Sequence, residues 1–127
     1  MRTMEEHAMA NPFVHVELMT KDLDKAKSFY QSLFDWKLED VPGMDYTMIG
    51  VGEGTGGGMM KVPMPEMPSS WMAYVLVDDI ALSTEKAKSL GATIVKGITE
   101  VPGMGAFSVM LDPTGAALAM WQAKMEK

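Results

Sequence analysis

The chain has 127 residues, 47% of them hydrophobic and 22% charged, which is enough for one ordinary domain with a real core. Seventeen acidic residues against eleven basic ones give a net charge of -6, and no run of Lys or Arg could neutralise a phosphate backbone, so neither nucleic acid nor an anionic membrane is an expected partner. The absence of Cys removes disulfides, thiolate nucleophiles and Cys-ligated metal centres.

The opening residues 1–10 place Glu5 and Glu6 where a secretory leader would want a basic end, and they contain no uninterrupted apolar stretch. They read as a flexible N-terminal tail before a single domain over residues 11–124. No segment approaches the roughly twenty apolar residues of a membrane helix, and a cytoplasmic location is expected. From Pro12 to Thr20, Phe13, His15 and Glu17 alternate with Val14, Val16 and Leu18, the period of a strand with two unlike faces. Thr20 is the expected cap of a helix with Asp22 and Asp24 in its first turn. Leu23, Ala26, Phe29, Tyr30, Leu33 and Phe34 form its apolar stripe and need a sheet to cover. Three extended segments follow, over residues 37–41, 46–51 and 57–62, separated by Pro42-Gly43 and by a glycine-rich stretch from Gly50 to Gly56. That stretch lacks a Gly-Lys-Ser/Thr ending and opens no helix, so it reads as a hairpin rather than a phosphate loop.

Residues 63–70 contain three prolines, each of which removes a backbone donor, and read as a connector. The pattern then repeats: a strand over 71–77, a helix capped by Asp78 or Asp79 and ended by Gly91, and strands over 92–101, 106–111 and 116–122. Asp112-Pro113-Thr114-Gly115 is the turn before the last strand. Short identities support a duplication, since Lys25-Ala26-Lys27-Ser28 returns as Lys86-Ala87-Lys88-Ser89 and Val41-Pro42-Gly43-Met44 as Val101-Pro102-Gly103-Met104. The expectation is α+β, with one βαβββ module over about 12–62 and a second over about 71–123.

The stretch Asp22-Leu23-Asp24-Lys25-Ala26-Lys27-Ser28-Phe29-Tyr30, with Leu33-Phe34-Asp35-Trp36 after it, resembles the opening of the vicinal oxygen chelate superfamily. Val77-Asp78-Asp79, Ala87-Lys88-Ser89-Leu90-Gly91-Ala92 and Asp112-Pro113-Thr114-Gly115-Ala116 resemble its second module. The resemblance runs from Asn11 to Ala123 and implies a fold in which paired βαβββ modules form a cup-shaped mixed sheet with the ligand in the cup. This is the fold of glyoxalase I, of bleomycin-resistance proteins and of extradiol dioxygenases.

Members that use a divalent ion hold it with side chains from the first and last strands of the modules. By that resemblance His15 stands at the first ligand position, Met72 and Ala119 stand at two others, and the fourth falls within Gly58-Met59-Met60. His15 is thus the one residue matching a standard ligand position, and no metal site is expected. His15 and Glu17, two apart on a strand, point the same way and are the candidate catalytic pair. The expected apolar wall of a ligand site is Met59 or Met60, Trp71 or Met72, Tyr46 or Met48, together with Tyr74, Ala119 and Trp121. The reading carried forward is a glyoxalase/bleomycin-resistance-like protein that binds a small apolar or aromatic molecule without a cofactor, as a homodimer. Two alternatives stand beside it: a divergent metal-dependent lyase, epimerase or dioxygenase, and a non-catalytic dimerisation module.

Overall fold

The computed structural model describes residues 10–124, so the expected tail lies outside the described residues apart from Ala10. The elements run β1 (Phe13–Thr20), α1 (Leu23–Leu33), β2 (Lys37–Asp40), β3 (Thr47–Gly50) and β4 (Gly57–Lys61). After the connector come β5 (Ser70–Leu76), α2 (Ile80–Ser89), β6 (Thr93–Val101), β7 (Gly105–Leu111) and β8 (Ala117–Ala123). This is βαβββ twice, an α+β fold. The described residues divide into two compact units, Val14–Ala73 and residues 74–124 together with 10–13.

In the first unit the strand order is β2-β3-β4-β1, antiparallel except for the parallel pair β4 and β1. The parallel register sets Leu18 beside Met59 and the antiparallel one sets Thr47 opposite Met59, so these side chains share a face. Leu18, Ile49 and Met59 form the core of that face, with Leu23, Ala26 and Tyr30 of α1 packed on it. Burying each large apolar side chain there contributes about 1.5–3 kcal/mol. The helix begins two residues later than the expected cap: Asp22, not Thr20, accepts from Lys25 N at 3.0 Å, and the Thr20 hydroxyl instead accepts from Asp22 N. The expected stripe is also narrower. Phe29 lies about 100° around the helix from Tyr30, and Leu33 closes its last turn; they are 57% and 56% exposed.

In the second unit the order is β5-β8-β7-β6, again with one parallel pair, β5 and β8. Val77, Ile80 and Met120 form its core, with Ala87, Ala106 and Met110 against them. Two hydroxyls buried under α2, Thr84 and Ser108, satisfy each other at 2.9 Å. Asp79 is the cap of α2, accepting from Leu82 N, and Gly91 ends the helix at a φ of 105°. In the turn before β8, Asp112 accepts from the Thr114 hydroxyl and from the Thr114 and Ala116 amides, and these bonds hold its carboxyl below the ordinary carboxylate range. Among the described residues no helix is long and apolar enough to cross a membrane.

Candidate ligand site

Because side chains alternate along β1, placing Leu18 in the core under α1 turns His15, Glu17 and Met19 to the opposite face. The pairing with β4 sets Gly58 beside Glu17 and Met60 beside Met19, and the β3 pairing sets Met48 opposite Gly58. Tyr46, two residues before Met48, projects the same way. The tyrosine ring lies over Gly58, where a Cβ at position 58 would run into its Cε2, Cζ and hydroxyl. Glycine at 58 therefore makes the room that the ring occupies.

Seated there, the Tyr46 hydroxyl joins the two candidate catalytic residues. It donates to Glu17 Oε1 at 2.8 Å and lies 2.7 Å from His15 Nε2. A phenol has one proton to give, so the bond to His15 runs the other way, with Nε2–H donating to the tyrosine oxygen. The result is a directed chain: imidazole N–H to phenol, phenol O–H to carboxylate. In the neutral ring of this tautomer, Nδ1 carries no proton. Burial lowers the His15 pKa below 6.5, and the negative charge of Glu17 offsets only part of that, so the imidazole is neutral at pH 7. Glu17 is buried, whereas His15 and Tyr46 are half-buried.

The other expected site residues divide by face. Met48 and Met60 lie on the His15 face, half-buried. Met59 does not: its register with Leu18 puts it in the core under α1, fully buried, so of the two candidates on β4 only Met60 can line the site. Trp71 is also taken up elsewhere, in an aromatic cluster with Tyr30 of α1 and Trp36 at centroid distances of 5.5 and 6.3 Å. Strand alternation then turns the half-buried Met72 to the other side of β5. In the second unit, Tyr74 and Ala119 are register partners, both buried, and Tyr74 meets Phe107 edge-on at 6.1 Å. Trp121 stands opposite Phe107 and covers Gly105. These four are on the face of that sheet turned away from α2, and none of them is a carboxylate or an imidazole. Sequence reasoning missed the polar role of Tyr46 and the part played by Gly58; the signal available for both was a glycine inside an expected strand.

With this geometry in place, a comparison with known families is decisive: residues 13–120 match the Glyoxalase/Bleomycin resistance protein/Dioxygenase superfamily. The chain belongs to that superfamily. This superfamily member is 33% identical over 107 residues to CFP32 of Mycobacterium tuberculosis (strain CDC 1551 / Oshkosh), which is provisionally named a glyoxylase; the match covers 82% of the chain and 41% of CFP32. It thus spans about two-fifths of that relative's length. It is also 34% identical over 56 residues to the anthracycline biosynthesis protein DnrV of Streptomyces peucetius, a match covering 44% of the chain and 20% of DnrV. Among solved structures, a superfamily member from Vibrio splendidus 12B01 aligns with a TM-score of 0.63 at 13% identity, covering 89% of this chain and 99% of the other, which shows the shared fold.

A divalent ion of the kind some superfamily members hold does not fit the residues here. His15 and Glu17 are both bonded to the Tyr46 hydroxyl, the Tyr46 ring fills the space a side chain at 58 would use, and Met60 offers a thioether rather than a hard donor. Among the described residues no three His, Asp or Glu side chains converge.

Proposed function

We propose that this superfamily member binds a small apolar or aromatic molecule on the His15 face of its first module, without a divalent ion, and holds an oxygen of that molecule at His15. The observation that carries this reading is the Tyr46 hydroxyl between His15 Nε2 and Glu17 Oε1, which fixes one tautomer and one orientation of the imidazole. Around it, the half-buried Met48 and Met60 supply soft, adaptable surface suited to an aromatic ring. One relative is named for the biosynthesis of anthracyclines, which are aromatic compounds, and this agrees with that ligand class.

Calorimetric titration with 2-naphthol, an aromatic molecule carrying one hydroxyl, tests the proposal. The expected result is one site with a Kd of about 10–100 μM, or about 5.5–7 kcal/mol. Replacing His15 by Ala is expected to weaken binding about tenfold, which is about 1.4 kcal/mol. Absence of saturable binding, or equal affinity in the variant, would overturn the reading.

A further inference from the structure

We propose that the first module carries a second binding site, a hollow between Lys21 and Lys61 that takes a soluble organic phosphate, with the two ammonium groups on the phosphate and an apolar floor under the carbon attached to it. The hollow measures about 480 Å³ and is lined by Lys21, Lys61, Val62, Pro63 and Pro65, all within the first unit. That volume lies in the range of small-molecule sites. The register partner of Lys61 is Thr20, which lies about 16 Å along β1 from His15, so the hollow is separate from the His15 face and does not depend on what binds there.

Lys21 follows Thr20, so the Cα atoms of the two lysines are about 6 Å apart, and their four-methylene stems can bring both ammonium groups to one anion. Neither pairs with a carboxylate among the described residues, whereas Lys27 is paired with Asp40 and Lys88 with Glu85. The lining includes no acid. Asp22, beside Lys21, turns its Oδ1 to the Lys25 amide, and Glu66, beyond Pro65, is exposed. In a chain of net charge -6 this is a local reversal of sign, and two like charges so close repel unless they share an anion. A phosphate monoester carries a charge of about -1.5 to -2 at pH 7 and matches two cations. The frame around it is fixed. The Val62 amide donates to Thr20 O at 2.9 Å, the Lys21 amide donates to Ser69 Oγ at 2.9 Å, and the Met67 amide donates to Met64 O at 3.0 Å, closing the turn that holds Pro65. The floor has no donor to give, because prolines lack an N–H and that of Val62 is already used, so it suits carbon rather than phosphate oxygen. A wall held in place beforehand reduces the ordering cost of binding. The negative charge of the whole chain disfavours approach to an anionic bilayer, which points to a soluble ester rather than a lipid headgroup.

The probe is n-hexyl phosphate, titrated into the full chain at about 20 mM salt and followed by calorimetry and by proton–nitrogen NMR. One saturable site with a Kd of about 0.1–1 mM is expected, with shifts at the amides of Lys21, Lys61 and Val62. Inorganic phosphate leaves the floor bare and is expected to bind about tenfold more weakly, the effect of burying one or two methylenes. Lys21→Gln and Lys61→Gln are each expected to weaken hexyl phosphate about fivefold or more, and salt of about 200 mM to weaken it about threefold or more. Lys86→Gln makes the same charge change on α2 and is expected to leave the affinity as it is, which separates the site from a response to net charge. Co-sedimentation with phosphatidylcholine vesicles containing about 30% phosphatidic acid is not expected; capture that both lysine variants lose would assign the hollow to a lipid headgroup and overturn the soluble-ester reading. No saturable binding, wild-type affinity in either folded lysine variant, an equal loss in Lys86→Gln, or shifts confined to the His15 face each overturns the site and leaves the reading of the His15 face in place.

Discussion

His15 is held between two opposed influences, and their order fixes its behaviour with pH. Burial lowers its pKa first, and Glu17 raises it second, so the folded value lies below the unfolded 6.5. Between those two values the unfolded chain binds more protons, and stability therefore rises with pH across that window. Above 6.5 the contribution is fully present, and it is lost as the pH falls toward the folded value. Glu17→Gln removes the raising influence while keeping an acceptor for Tyr46. Titration of the His15 ring protons by NMR is expected to give a pKa below 6.5 in the wild type and a lower one in that variant; a higher value would contradict the assigned role of Glu17. Gly58 is the other residue on which the site turns. A methyl group there collides with the Tyr46 ring, so Gly58→Ala is expected to cost about 1–3 kcal/mol in chemical denaturation and to abolish the Nε2–H tautomer preference of His15. Gly43, which has no neighbour within 4 Å but a φ of 78°, provides the contrast: its replacement by Ala strains the backbone and leaves the His15 tautomer unchanged.

At the level of elements, the two helices are anchored alike despite different sequences. Asp22 and Asp79 each accept from the amide three residues on, at 3.0 and 3.1 Å. Asp22→Ala and Asp79→Ala are each expected to destabilise by about 1 kcal/mol in denaturant unfolding, whereas Thr20→Ala should cost less, because its hydroxyl accepts from the cap residue itself and not from within the helix. The order of elements was legible in the sequence because strand alternation, helical spacing and Gly/Pro turns all agree in both modules. The first helix's cap was not, since Thr20 and Asp22 are both acceptable capping types and only backbone geometry separates them. Its apolar stripe was overread for a related reason: spacing marks Phe29 and Leu33 as compatible with the buried face, but how far a sheet reaches around a helix is a tertiary property. The same limit applies to Met59 against Met60 and Trp71 against Met72, where one step along the strand changes the face: the first is decided by the Leu18–Met59 pairing and the second by the aromatic contacts of Trp71 with Tyr30 and Trp36.

Over the whole molecule, a doubled fold carries undoubled chemistry. Sequence reading located that asymmetry at His15 and Glu17, but could not show that Tyr46, about thirty residues away, closes the pair into a chain, because the closure depends on a missing side chain at Gly58 rather than on any motif. The closure has a consequence for metal binding that belongs to the molecule as a whole. A divalent ion would have to take His15 and Glu17 from the phenol, displace the Tyr46 ring, and complete its coordination within the first unit from thioethers such as that of Met60, which is not a hard donor. A resident ion at a thousand times its Kd would stabilise the folded state by about 4 kcal/mol. For a chain of this size that corresponds to a melting shift of about 10 °C or more. Dialysis against EDTA, followed by addition of Ni, Zn, Mn or Fe(II) at micromolar excess, is therefore expected to leave Tm unchanged within about 1 °C and to leave no stoichiometric metal in elemental analysis. A folded Tyr46→Ala/Gly58→Glu variant, which vacates the ring's place and supplies a third hard donor beside His15 and Glu17, is expected to gain stoichiometric binding and a metal-dependent rise in Tm. Metal-dependent stability in the wild type would mean that the phenol yields to an ion and would overturn the metal-free reading of the site.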